Sequence, residues 1–188
     1  MRTPILSTLL VLAGATAAAA QGNAPARLTV TSPDIKPNAR LAEKQVFKGM
    51  GCNGSNVSPA ISWSGAPAGT KSFAVTAYDP DAPTGSGWWH WVIFNIPATA
   101  KGLPEGAGDP AKRLAPAGSA QGNTDFGTPG YGGPCPPPGH GVHHYIFTVF
   151  ALKTDKIEVP ANATAAMVGF NLNANALAKG TLTGTYSR

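Results

Sequence analysis

Charged residues are scarce in this sequence, and those present are dispersed. Lys and Arg number 14 and Asp and Glu nine, which together make up 12% of 188 residues. No run of basic residues is interleaved with aromatic ones, so the electrostatic footprint of a nucleic-acid-binding protein is missing. The net charge of +5 at pH 7 is modest. It favours a small anionic ligand or contact with an anionic membrane surface.

Cysteine is equally scarce, since only Cys52 and Cys135 are present. The sequence contains no cysteine cluster and no His-x-x-x-His pair on a predicted helix, the usual patterns of a metal site. An even number of cysteines in an exported chain favours a disulfide between them. Two buried thiols are the alternative interpretation.

Long hydrophobic runs are also missing, and no apolar segment is long enough to anchor the chain across a bilayer. The run from Pro4 to Leu12 follows Arg2 and precedes the small residues Ala18 to Ala20. This order is typical of a secretory signal peptide. We therefore predict a signal at 1–20, cleavage after Ala20, and one mature domain over 21–188 with a net charge of about +4. The predicted location is periplasmic or secreted.

The periodicity after Arg27 is mostly that of β-strands, because short apolar runs alternate with Pro and Gly punctuation. The two strongest candidates are Trp91 to Ile96 and Tyr145 to Leu152. Both are rich in aromatic and β-branched residues and are expected in the middle of a sheet. A long connection from Lys101 to Val142, rich in Gly and Pro, separates them. The predicted strands are Leu28 to Thr31, Ile61 to Ser64, Ser72 to Tyr78, Trp91 to Ile96 and Tyr145 to Leu152.

One helix is predicted near the C-terminus, followed by a short strand from Thr181 to Arg188. Apolar residues recur there at helical spacings of three and four, which predicts a single face packed on the core. Gly180 is expected to end the helix. The predicted core-facing positions are Ala163, Met167, Phe170, Ala174 and Leu177.

All four histidines lie between positions 90 and 144. Because side chains alternate along a strand, His143 and Tyr145 are expected on one face and His144 on the other. The same alternation places His90 with Val92 and Phe94. Taken singly, each histidine is consistent with a structural role, and Asp79 and Asp81 with ordinary turn chemistry. Their concentration at strand ends beside proline-stiffened loops favours a binding site.

Two segments resemble the signatures of the phosphatidylethanolamine-binding protein family, in its bacterial, Raf kinase inhibitor-like branch. Asp79-Pro80-Asp81-Ala82-Pro83, with Trp88 and His90 after it, resembles the first signature. Gly139 to Tyr145 resembles the second. The resemblance covers essentially the whole mature chain and implies a mainly β, single-domain sandwich with a few peripheral helices.

The resemblance also implies a small pocket for phosphate or a phosphoethanolamine headgroup, in a binding protein that acts as an inhibitor or as a lipid- or anion-binding factor without a cofactor. In that pocket His90 and His143 are expected to face the anion, Tyr145 to donate its hydroxyl, and Asp79 to orient a histidine. Pro83, Trp88, Pro136 and Pro137 are expected as walls. The chain departs from animal members at Cys135, at His144 and in its shorter C-terminus, where Tyr186 is a candidate to close the pocket.

The sequence is also compatible with functions other than ligand binding. Asp79, His90 and His143 are residue types that also serve as acid, base and orienting groups in a hydrolase. No Gly-x-Ser-x-Gly motif accompanies them, and Cys135 precedes three prolines rather than a reactive-thiol motif. A metal site and the inhibition of a protein partner are the further alternatives. The predicted pH dependence of the binding function is an anion affinity that declines as the histidines lose their protons.

Overall fold

The computed structural model describes residues 28–188, so the predicted signal at 1–20 and the start of the predicted domain lie outside the described residues. The architecture is mainly β, as predicted, with a single α-helix among those residues. The elements are β1 (Thr29–Thr31), β2 (Lys48–Gly49), β3 (Cys52–Asn53), β4 (Ile61–Ser64), β5 (Ser72–Asp79), β6 (Trp88–Pro97), β7 (Gly102–Leu103), β8 (Ala120–Gln121), β9 (His143–Leu152), α1 (Ala165–Asn175) and β10 (Ala176–Tyr186).

A five-stranded antiparallel sheet forms the centre of the fold, in the order β10-β9-β5-β6-β8. Its middle strands are buried on both faces, which explains why they appear in the sequence as nearly continuous apolar runs. One face packs against the small antiparallel sheet β1-β4-β7, and this interface holds the larger hydrophobic core. Its largest members include Trp63, Phe73, Trp91, Tyr145 and Phe147.

The opposite face of the large sheet is covered by α1. Thr164 caps this helix by accepting a hydrogen bond from the backbone N–H of Met167 at 3.2 Å. The buried side of the helix carries Val168 and Leu172, which pack against Val92 and Phe94 of β6 and Phe150 of β9 in a second core.

The predicted buried face of this helix is wrong except at Ala163, which is buried just before the cap. Met167 and Phe170 are 47% and 73% exposed, and Leu177 belongs to β10 rather than to the helix. The cause is close packing: Gly169 lies against the ring of Trp89, where an added Cβ would be only 3.2 Å from the indole. The side that carries Val168, Gly169 and Leu172 therefore faces the sheet.

The final strand is longer than predicted. β10 begins directly after α1, pairs with β9 along its length and contains Gly180, which therefore does not end the helix. The long connection from 101 to 142 includes the short strands β7 and β8. Cys52 and Cys135 form the predicted disulfide, which ties the β2–β3 hairpin to the proline-rich end of this connection.

A candidate anion-binding cavity

A cavity of about 180 Å³ opens where β5 ends, β6 begins and the proline-rich loop crosses the sheet. Three chain segments that are distant in sequence meet here because β5 lies between β6 and β9 in the sheet. The cavity is lined by Met50, Asp79, Ala82, Pro83, Thr84, Trp88, His90, Phe126, Cys135, Pro136, Pro137 and Tyr145.

His90 reaches this cavity because of a β-bulge. In the pairing of β5 with β6, Ala77 lies opposite Trp91 and Tyr78 opposite Trp89, so His90 is an extra residue. A bulge turns consecutive side chains to the same side of the sheet. The imidazole consequently packs against Tyr145, at a ring separation of 5.0 Å. The prediction that His90 shares a face with Val92 and Phe94 is therefore wrong.

The protonation of His90 follows from its surroundings. Its Nδ1 lies 2.7 Å from the carbonyl oxygen of Gly132, and a carbonyl only accepts, so Nδ1 carries a proton. Burial lowers the pKa of His90 to about 4, although the Gly132 carbonyl and the nearby Asp79 act in the opposite direction. At neutral pH the ring is uncharged, and Nε2 is the nitrogen left for a ligand.

Asp79 lies in the cavity wall and is held by His143 of β9. Nδ1 of His143 donates to Oδ2 of Asp79 at 2.7 Å, and both side chains are almost fully buried. The other carboxylate oxygen accepts the backbone N–H of Asp81 at 2.8 Å. On its far side, Nε2 of His143 lies 2.8 Å from Nδ1 of the exposed His140. His143 thus stands behind Asp79 and does not line the cavity.

Two buried polar groups of the cavity wall have no hydrogen-bond partner within residues 28–188: the hydroxyl of Tyr145 and the indole Nε1 of Trp88. The indole N–H only donates, and the hydroxyl has a proton to donate. Burial raises the pKa of Tyr145, so its hydroxyl keeps that proton throughout the physiological range. The wall therefore offers two donors without acceptors.

The mouth of the cavity is formed by the tip of the β2–β3 hairpin and by the proline-rich loop. Met50 and Gly51 both have positive φ, 52° and 79°, as a two-residue hairpin turn requires, and the Met50 side chain is 67% exposed. Arg188 bridges the two segments: its Nε donates to the Pro136 carbonyl at 2.5 Å and its Nη1 to the Gly51 carbonyl at 3.0 Å. With the nearby disulfide, these bonds fix the mouth.

Comparison with known proteins relates this architecture to a single family. The model of the phosphatidylethanolamine-binding protein family matches residues 31–187. The chain belongs to that family. Escherichia coli YbcL is 52% identical over 186 residues, which cover 99% of this chain and 98% of YbcL. The crystal structure of YbcL, described as a new member of the mammalian family, superposes with a TM-score of 0.84 at 54% identity, covering 87% of this chain and 99% of YbcL.

A third relative within the family is a Mycobacterium tuberculosis protein named as lipoprotein LppC. It is 34% identical over 159 residues, covering 85% of this chain and 72% of LppC.

The family's two signature segments meet at the cavity of this member. All the predicted pocket residues line it except His143: Asp79, Pro83, Trp88, His90, Pro136, Pro137 and Tyr145. Tyr186 is buried in the larger core, and its hydroxyl donates to Glu43 at 3.0 Å, so it does not close the cavity. Sequence reasoning missed Met50 and Phe126, although each is an isolated large apolar residue near glycines in a polar segment.

Within the described part of the chain, His, Cys, Asp and Glu form no group of three that could hold a metal ion. Over the same residues, no helix is long and apolar enough to cross a membrane.

Proposed function

We propose that this protein is an exported binding protein for a small phosphorylated or otherwise anionic ligand, of the size of phosphate or a phosphoethanolamine headgroup. The observation that carries the proposal is the buried Tyr145 hydroxyl, which has no partner in the described chain although it belongs to the cavity wall. A buried donor without an acceptor costs about 1–3 kcal/mol. An anion that accepts from Tyr145 and Trp88 removes that cost.

The size of the cavity supports a headgroup-sized ligand. Pockets for drug-sized molecules usually measure about 300–1,000 Å³, whereas this cavity measures about 180 Å³. Its proline walls are rigid because each ring fixes φ, so little conformational entropy is lost on binding.

His90 supplies a pH dependence with a definite sign. Burial lowers its pKa to about 4, and an adjacent anion raises a histidine pKa by favouring the charged form. Between the free and bound pKa values, binding takes up a proton. Affinity therefore rises as the pH falls toward 4 and declines as the pH rises.

Calorimetric titration with inorganic phosphate, phosphoethanolamine and a short-chain phosphatidylethanolamine tests the binding function. Tyr145→Phe is expected to weaken binding by about tenfold or more, since a hydrogen bond to a charged group contributes about 1.5–3 kcal/mol. Tyr186→Phe is the matched control, because that hydroxyl bonds Glu43 away from the cavity. Equal affinity for free phosphate and the lipid would assign the site to the phosphate group alone.

Repeating these titrations in buffers of different ionisation enthalpy measures the proton uptake, because the observed heat then varies with the number of protons that binding takes from the buffer. Absence of binding to every probe, or an affinity that is constant from pH 5 to 8, would contradict the proposal.

Export is supported by the disulfide, which persists in oxidising compartments, and by the relative named as a lipoprotein. N-terminal sequencing of protein recovered from a secreting host is expected to begin at Gln21. An intact Met1 would contradict cleavage.

Nothing in the described site favours a hydrolase. The cysteine of the cavity wall is held in the disulfide, and the hydroxyl of Thr84 donates to the Gly87 carbonyl at 2.5 Å.

A further inference from the structure

The mouth of the cavity carries a methionine, Met50, at the tip of the β2–β3 hairpin. Its side chain is 67% exposed and also lines the cavity, so part of it meets solvent and part borders the ligand space. The proposed binding function uses no group of this residue. A flexible and polarisable thioether is nevertheless able to change its position at the mouth.

The backbone at this position does not favour methionine. Met50 has a φ of 52°, in the left-handed region. Gly, Asn and Asp predominate at the first position of a two-residue hairpin turn, because larger side chains are strained there. A residue held in such a conformation beside a binding site supports a role for its side chain.

The surroundings of Met50 hold its backbone in place. Arg188 bonds to the Pro136 and Gly51 carbonyls, and the disulfide joins the same two segments. The other walls of the mouth are proline rings, whose φ is fixed. The side chain of Met50 is therefore the movable part of the mouth.

The Met50 sulfur is also open to oxidation. The two cysteines of the sequence are joined in the disulfide, so no thiol competes for an oxidant. A peroxide transfers one oxygen atom to an exposed thioether: a sulfur electron pair forms the S–O bond, the O–O bond breaks, and the second oxygen leaves as water. The product is a polar sulfoxide.

Two hydrogen-bond donors in the same cavity match a sulfoxide oxygen. The Tyr145 hydroxyl and the Trp88 indole N–H are buried and have no partner within residues 28–188, and Tyr145 is only 2% exposed. The thioether of Met50 is a weak acceptor, whereas a sulfoxide oxygen is a strong one. The cavity measures only about 180 Å³, so a sulfoxide that turns inward lies close to both donors.

We infer that Met50 is an oxidation site, at which conversion of the thioether to the sulfoxide lowers the anion affinity of the cavity. The sulfoxide oxygen accepts from Tyr145 or Trp88 and thereby competes with the anion. This inference rests on the proposed function, because anion binding is the property that oxidation changes. Reductases reverse methionine sulfoxide formation, so the change is a switch rather than permanent damage.

Titration of the whole protein with inorganic phosphate, before and after treatment with hydrogen peroxide, tests the inference. Mass spectrometry of peptides locates the added oxygen atom. Protein oxidised at Met50 is expected to bind phosphate about tenfold more weakly, the effect of about one hydrogen bond that the anion must displace. Treatment with methionine sulfoxide reductases for both epimers should restore the affinity.

Met167 provides the matched control. It is the other methionine after position 20 and is 47% exposed, but it lies on α1, which does not line the cavity. Leucine has a similar volume and no sulfur. Met167→Leu should lose phosphate affinity on oxidation as the wild type does, whereas Met50→Leu should bind phosphate equally before and after treatment.

Three outcomes would overturn the inference while leaving anion binding intact. They are a Met50 that stays reduced while Met167 is oxidised, a phosphate affinity unchanged by oxidation of Met50, and an equal loss of affinity in treated Met50→Leu. Failure of the untreated protein to bind phosphate would overturn the proposed function as well.

Discussion

Two Asp–His pairs join the same two parts of the chain, yet they lie in opposite environments. Asp79 pairs with His143 and Asp81 with His144, each with a nitrogen–oxygen distance of 2.7 Å. The side chains of the first pair are 1% and 3% exposed, and those of the second are 50% and 39% exposed. His143 and His144 are adjacent on β9, so alternation across the strand sends one pair inward and the other to solvent.

Equal distances do not imply equal energies. Water and ions screen an exposed pair, which typically contributes 0.2–1 kcal/mol. A buried pair is costly to desolvate, and removing one partner leaves the other as a buried polar group without a hydrogen-bond partner, at a cost of about 1–3 kcal/mol. The comparison indicates that Asp79 and His143 satisfy each other's hydrogen bonds in the interior. The side chains of Asp81 and His144 can instead bond to water or to the local backbone.

Asp81 illustrates the exposed case. Partial burial acts to raise its pKa, but hydrogen bonds from the side chain and backbone of His144 outweigh that effect, and the pKa is lowered overall. The backbone N–H of His144 donates to the carboxylate at 2.8 Å. The exposed pair thus fastens the β5–β6 turn to the start of β9 without entering the cavity.

The largest expected difference between the pairs is in stability. Asp79→Ala should lower the free energy of unfolding by about 1–3 kcal/mol, because it leaves the buried Nδ1–H of His143 without an acceptor. Asp81→Ala should lower it by about 1 kcal/mol or less. Urea denaturation at pH 7 measures both variants. Similar losses in the two would show that burial does not distinguish them.

A double-mutant cycle sharpens the same comparison. Asp79→Ala combined with His143→Ala should show strong non-additivity, because the second substitution removes the stranded group. The combination of Asp81→Ala with His144→Ala should be nearly additive.

Strand alternation was sufficient to predict part of this site from sequence. It separated His143 from His144 correctly, since β9 is regular from His143 to Leu152 in its pairing with β10 apart from its C-terminal end. It failed for His90 because the extra residue in β6 shifts the alternation by one. A bulge depends on pairing with a neighbouring strand, which local periodicity does not record.

The helix shows a second limit of sequence reasoning. Large apolar residues predicted the buried face, but the sheet accepts the side with Gly169 because Trp89 occupies the space that a larger side chain would need. Phe170 is left exposed as a result. The overall β architecture was predictable because it depends on many strands together, whereas a helix face depends on a single close contact.

The smallest expected difference concerns anion affinity. It involves His140, which is hydrogen-bonded to the buried His143. Only one proton fits between Nε2 of His143 and Nδ1 of His140, which are 2.8 Å apart. His140 thus provides the hydrogen-bond partner that the nearly buried Nε2 of His143 requires. An Asp79 carboxylate that is hydrogen-bonded to His143 repels an anion in the cavity less than an isolated carboxylate does.

His140→Phe keeps a ring over His143 but removes the hydrogen-bond partner of its Nε2, so we expect phosphate affinity to fall by about tenfold, as the loss of one partner of a buried polar group predicts. His140→Ala should lose less phosphate affinity, because water can reach Nε2 of His143 in place of the imidazole ring. His144→Phe is the matched control on the exposed pair and should bind phosphate as the wild type does. Unchanged phosphate affinity in His140→Phe would show that His140 is a surface residue with no part in the site.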